Sequence, residues 1–290
     1  MAYKSKERNF RKRESKEEFA ARKKAEKDAA YETIDNSISE MMQSEDSFID
    51  YLNFQSNKEM YSASNAILIM SQCPDATQLK SADSWNELNA KINKGEKAIH
   101  ILEPTEYVDE NGEQRTSYNI KNVFDISQTD AEPKPPQKLE SNPKVLAMAL
   151  MKASPVRKAK VENLPIANST AFYDHDKNAL FIKLNSNPIS VFKDVSRELA
   201  LAEIADGYDE YNREKCLPSA VCSAYMLCQK YGIDNSDMNV TDAVHKWAEL
   251  ENKDIRSMLA MTNDGLYAVS KNLYVQLQKD REKAEKEPAR

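Results

Sequence analysis

The chain has 290 residues, of which 40% are hydrophobic and 30% charged, with five glycines and a net charge of -6. That composition excludes a disordered or fibrous chain and leaves room for one large domain or two ordinary ones, while the negative balance excludes a surface that coats nucleic acid all over. The longest apolar run, Ala66-Ile67-Leu68-Ile69-Met70, is too short to cross a bilayer and the charged N-terminus lacks a secretory core, so the protein is expected in the cytoplasm and off membranes.

Residues 1–30 form a basic arm in which Lys and Arg alternate with Glu and large apolar side chains are scarce. It reads either as a solvated helix held by Glu/Lys pairs at helical spacing or as a disordered arm whose Arg11, Lys12 and Arg13 neutralise phosphates. From residue 31 the pattern becomes amphipathic. Ile34, Ile38, Met41 and Met42 mark one helix, Phe48, Ile49, Leu52 and Phe54 a second, and "YSASNAILIMSQC" a third. "SADSWNELNAK" predicts a short helix capped by Ser81 or Asp83. The period then changes: "KAIHILEPTEYVD" and "QRTSYNIKNVFDIS" are extended runs separated by Glu110-Asn111-Gly112, which predicts a β-hairpin with an Asn-Gly turn.

Residues 129–143 are rich in proline and polar side chains and read as an exposed linker between two domains, 31–128 and 144–282, with a charged tail at 283–290. Beyond the linker, "NPKVLAMALMKAS" predicts a helix, "RKAKVENL" a strand, and "STAFYDHDKNALFIKL" two short strands around a turn at residues 174–178. Helices are expected over 188–206, 216–231, 240–249 and 252–280. The fold class is therefore α+β: N-terminal helices with a hairpin, then a mostly helical domain with a few short strands. Of the four cysteines, Cys216, Cys222 and Cys228 recur every six residues, a spacing that scatters them around a helix, so all four are read as free thiols.

Ordered motifs in the first half carry a resemblance. They are Tyr61-Ser62-Ala63-Ser64-Asn65, Pro74-Asp75-Ala76-Thr77, Trp85, Lys94-Gly95-Glu96-Lys97, and Val123-Phe124-Asp125-Ile126-Ser127-Gln128-Thr129. Together they resemble the N-terminal domain of ArdC-like antirestriction proteins and the related LtrC-like proteins of conjugative elements. The resemblance implies a single-stranded-DNA-binding domain followed by a zincin-like metallopeptidase domain, in a protein of a phage, plasmid or conjugative element.

The second half can be set against that implication. A working zinc-peptidase helix carries H-E-x-x-H, with two histidine ligands at i and i+4, the glutamate as general base, and a third ligand from a later helix. Here the helix reads Arg197-Glu198-Leu199-Ala200-Leu201. Arg197 is a permanent cation and Leu201 has no lone pair. The LtrC-like pattern places a glutamate ligand on the next helix, and alignment through Ala224-Tyr225 puts Val221 there. The expectation is a degenerate domain with no metal, no cofactor and no peptidase activity, Leu201 packing in the former metal cleft and Arg197 offering a cation in its place. Leu199, Ala202 and Ile204 with Val191, Phe192 and Val195 also make an ordinary core stripe, so a helix of unrelated origin stays open.

His100, His175 and His245 show no ligand spacing, and no catalytic triad or phosphate loop appears. Two functions remain. One is single-stranded-DNA binding, with Tyr61, Trp85 and Tyr118 as stacking platforms, Asn65 reading a base or capping a loop, and Lys91, Lys94 and Lys97 meeting phosphates. The other is inhibition of a host defence or nucleic-acid-processing protein through acidic residues such as Asp206, Asp209 and Glu210 beside Tyr208 and Tyr211. No small-molecule substrate is expected.

Overall fold

The computed structural model describes residues 14–133, 139–207 and 211–286. Helix α1 (Lys16–Met41) opens with a capping box between Ser15 and Glu18 and buries Ala30, Ile34, Ile38 and Met41 along one stripe. It runs unbroken through residue 30, so the expected boundary between arm and domain falls inside a helix. Its exposed first half is laced by Arg22 with Glu14 and Glu26, and by Lys23 with Glu26.

Helices α2 (Glu45–Gln55) and α3 (Ala63–Gln72) start at the side-chain caps Ser44 and Ser62. A short strand β1 (Leu79–Lys80) leads to α4 (Ala82–Glu87), whose cap is Ser81. Strands β2 (Ile99–Val108) and β3 (Gln114–Asp125) form the expected hairpin, with Ile99 opposite Val123 and Val108 opposite Gln114. Gly112 takes φ +81° in its turn, a conformation that costs glycine no Cβ clash. The sheet order is β1-β3-β2.

In the second half, α5 (Pro143–Ala153) precedes strands β4 (Arg157–Val161), β5 (Ala171–Asp174) and β6 (Ala179–Lys183). Their order is β4-β6-β5, with β4 parallel and β5 antiparallel to β6. Helices α6 (Pro188–Gly207), α7 (Arg213–Tyr231), α8 (Thr241–Trp247) and α9 (Asn252–Lys286) follow. The last extends past the expected end at 280 and through the first half of the expected tail, to Lys286. Helix α9 crosses α6 and α7 closely at Gly265, where an added Cβ would lie 3.0 Å from Ser223 Oγ and 3.2 Å from Ala200 Cβ.

The two halves, expected as separate domains, contribute to one buried hydrophobic cluster. Ile34, Ile38, Phe48 and Leu52 belong to the same buried cluster as Leu199, Tyr225, Trp247 and Leu266. Phe48 meets Trp247 edge to face at 6.0 Å. Polar contacts cross the same seam: Gln55 Nε2 donates to Asn263 Oδ1 at 2.6 Å, Asn263 Nδ2 to the Tyr61 carbonyl at 3.1 Å, and the Tyr225 hydroxyl to Asn53 Oδ1 at 3.1 Å. Proline and charge in a connecting segment report that it is exposed, not that its flanks are independent. Among the described residues no helix is long and apolar enough to cross a membrane.

Candidate functional site

The N-terminal motifs converge on one knot of hydrogen bonds. Asp125 Oδ1 accepts from the Thr77 and Gln78 amides at 2.7 and 2.8 Å, and Oδ2 from the Ser127 amide at 3.0 Å. Burial by itself would raise the Asp125 carboxyl, but the hydrogen bonds from Ser127, Thr77 and Gln78 outweigh it and hold the group below the usual carboxylate range. Gln128 accepts from the Asp125 amide at 2.9 Å and donates to the Lys97 carbonyl at 2.8 Å and to Glu96 at 3.0 Å. The Pro74–Thr77 loop, the Lys94–Lys97 turn and the end of β3 are therefore tied together by two side chains.

Two candidate readers of bases turn out to be structural. Trp85 is 2% exposed and its indole N–H donates to the Phe124 carbonyl at 2.9 Å, so it fills a small core with Ala90 and Ile126 instead of offering a platform. Asn65 gives both ends of its amide to β2, accepting from the Leu102 N–H at 2.7 Å and donating to the Leu102 carbonyl at 2.9 Å. Gln72, seven residues along the same face of α3, does the same at His100, with distances of 2.9 and 2.9 Å. The two amides act as a surrogate strand on the open edge of β2.

Lys91, Lys94 and Lys97 are exposed, and no salt bridge engages them among the described residues. Their loop is held firmly: the Lys91 amide donates to Asp130 Oδ1 at 2.6 Å, the Asp130 amide returns to the Lys91 carbonyl at 3.0 Å, and Ile92 bridges to Thr129. Gly95 turns the chain at φ +97°. Tyr61 is half-buried against the Ile69, Ile99, Ile101 and Val123 cluster. Tyr118 is 40% exposed but lies opposite Pro104, well along the hairpin from the lysine loop and within electrostatic reach of Tyr31 on α1. The structure thus groups the lysines and leaves Tyr118 apart. Arg11, Lys12 and Arg13 lie outside the described residues, as do Tyr208, Asp209 and Glu210.

On α6, Glu198 is fully buried and has three donors. The Tyr173 amide reaches Oε2 at 2.8 Å, while Arg213 and Arg197 reach Oε1 at 2.8 and 3.0 Å. Arg197 also contacts Asp194 at 2.9 Å and Ser169 Oγ at 2.9 Å, and Asp194 Oδ2 accepts from the amide and hydroxyl of Thr170 at 2.7 and 2.8 Å. Two guanidinium groups and two carboxylates form a charge-balanced network joining α6, α7 and the edge strand β5. Arg213 was absent from the candidates named from sequence; as one arginine near a helix start, it carried no signal there.

Arg197 and Val221 face one cavity of about 360 Å³, which Lys193, Asp194 and Asp242 also line. Leu201 does not line it and packs in the main core, a correction to its expected place in a cleft. None of Arg197, Leu201 and Val221 has a lone pair to give a cation, so these positions do not suit Zn²⁺. Cys222, beside Val221, is buried, and burial pushes its thiol far above the ordinary range. Among the described residues no group of three or more His, Cys, Asp or Glu is placed to hold a metal.

The hairpin, the lysine loop and the amide-capped edge of β2 thus lie together in one α+β unit. Residues 11–143 match the family model for the N-terminal domain of anti-restriction factor ArdC, so this part of the chain is an ArdC-type N-terminal domain. A relative from Bacillus anthracis, the uncharacterized protein pXO2-81, is 23% identical over 309 residues, covering 85% of this chain and 51% of its own length. The chain therefore spans about half of that relative. Among solved structures, the metal-free antirestriction ArdC protein of plasmid R388 aligns with TM-score 0.48 and 18% identity over 74% of this chain and 85% of that one. Its Mn(II)-bound form aligns with TM-score 0.48 and 15% identity over 73% and 85%.

Proposed function

We propose that this protein binds single-stranded DNA through the lysine loop at the base of the hairpin, and serves without catalysis as an antirestriction or anti-defence factor of a plasmid, phage or conjugative element. The observation that carries the reading is the loop itself. Lys91, Lys94 and Lys97 stand exposed and unpaired by salt bridges among the described residues, on a backbone locked by Asp130, Gln128 and the Thr129 bridge. Ammonium groups on a pre-ordered loop meet phosphates with little further loss of conformational freedom. Tyr61 supplies a half-buried aromatic candidate of the same motif set.

The second half is proposed to be a zincin-like unit that has exchanged its metal for a guanidinium. Arg197 spans Asp194 and Glu198, and Glu198 is spent on Arg213 and the Tyr173 amide. A carboxylate so engaged has no free oxygen with which to take a proton from water.

The test titrates labelled single- and double-stranded oligonucleotides into the full chain over a range of salt. Single strands are expected to bind more tightly, with log K falling by about 0.7 per contacted phosphate for each tenfold rise in salt. Changing both Lys94 and Lys97 to alanine should flatten that slope by about 1.4. No binding at low salt would refute the DNA reading in favour of a protein partner met through acidic residues such as Asp206. Stoichiometric zinc in the purified protein would overturn the exchange of metal for arginine.

A further inference from the structure

The sheet β4-β6-β5 has a second face that none of the contacts above uses. Ala171 and Tyr173 on β5, and Leu180 and Ile182 on β6, point into the core. Alternation sends Phe172 and Phe181 to the other side, where they are direct cross-strand partners. Both rings are half-buried, and they floor a groove of about 630 Å³ walled by Val161, Leu164, Pro165 and Tyr211.

A cation sits over each ring. The Arg213 guanidinium carbon is 4.8 Å from the Phe172 centroid, and Lys177 Nζ is 5.6 Å from that of Phe181. Their restraints differ. Arg213 is fixed by Glu198 at 2.8 Å, whereas the Lys177 side chain is 66% exposed and, among the described residues, ion-paired only with Asp174, itself at the groove. Arg157 and Lys183 are exposed on β4 and β6, in register with Ala179 and Val161. Asp176 is the other carboxylate along the groove among the described residues.

We propose that this face is a second binding platform for single-stranded nucleic acid. One base stacks on Phe181 as Lys177 swings out to a phosphate, the next lies against the Arg213–Phe172 pair, and Arg157 and Lys183 receive the flanking phosphates. Aromatic rings beside cations suit a ligand that is planar and anionic at once. A peptide strand added to β5 is disfavoured, because the outward Tyr173 amide is held by Glu198 at 2.8 Å and its carbonyl by Arg213 at 3.4 Å. The platform does not depend on the lysine loop.

The experiment photocrosslinks thymidine-rich oligonucleotides carrying 5-iododeoxyuridine to the full chain and maps the adducts by mass spectrometry. Adducts within residues 171–183 are expected. Adducts confined to residues 91–97 would overturn this proposal and leave the lysine loop standing; adducts confined to 171–183 would do the reverse. A Phe181→Ala chain should bind a thymidine 20-mer about tenfold more weakly, the equivalent of about 1.4 kcal/mol of stacking, with its salt slope unchanged. Unchanged affinity in a variant that melts like the parent overturns the platform. If the variant melts lower, the adduct map of the unaltered chain decides.

Discussion

Replacing Glu198 with alanine removes the acceptor on which Arg197, Arg213 and the Tyr173 amide converge. Glu198 is fully buried, while the side chains of Arg197 and Arg213 are 20% and 25% exposed. Breaking a buried pair from one side costs about 3–5 kcal/mol, and an orphaned backbone N–H adds about 1–3 kcal/mol. Partial exposure of both guanidinium groups, and the Asp194 contact that Arg197 keeps, pull the sum back to about 4 kcal/mol. With an unfolding entropy of about 2.1 cal/mol/K per residue, that lowers the melting temperature by about 7 °C. Glu198→Gln keeps the volume and one acceptor and should lose about half as much. Reversible thermal unfolding followed by circular dichroism, checked by urea titration, measures both. A Glu198→Ala protein that melts at or above the parent temperature refutes the reasoning, because removal of a strained catalytic group tends to stabilise and removal of a structural one does not.

Asp125→Asn should destabilise at neutral pH, with a gap to the parent that closes as pH falls below about 4. The sign follows from the lowered carboxyl: the unfolded chain takes up the proton first, so this stability is present above the unfolded pKa and is lost as pH falls through the folded one. Urea midpoints at several acid pH values read it. Gly265→Ala forces a methyl within 3.0 Å of Ser223 Oγ and 3.2 Å of Ala200 Cβ and should cost about 1–3 kcal/mol in the same assay. Trp85→Phe loses one hydrogen bond to Phe124, worth about 1 kcal/mol, and should leave DNA affinity unchanged when measured well below the melting point.

The order of helices, the Ser81 cap, the hairpin at Asn111-Gly112 and the strand pair around residues 174–178 were legible in the chain, because caps, turns and apolar periods are set by residues a few positions apart. Arg197, Glu198 and Val221 stood out through their spacing against a known motif. Their environment did not, since Tyr173 and Arg213 lie 25 and 15 residues from Glu198. Trp85 and Asn65 show the same limit: an aromatic ring and an amide suit a base as well as a core. What settled each was a backbone partner 39 and 37 residues away.

The amino-acid order by itself determined the local elements, the exposed lysines on a glycine turn, and the absence of lone pairs at Arg197, Leu201 and Val221, which are properties of residue type and near neighbours. Tertiary structure alone decided that the two halves share a core across Phe48, Trp247, Gln55 and Asn263, and that Arg197 and Arg213 close on one buried carboxylate. The physical reason is that burial and pairing depend on where distant segments meet, and a proline-rich connection sets how far apart they are along the chain without setting how they pack.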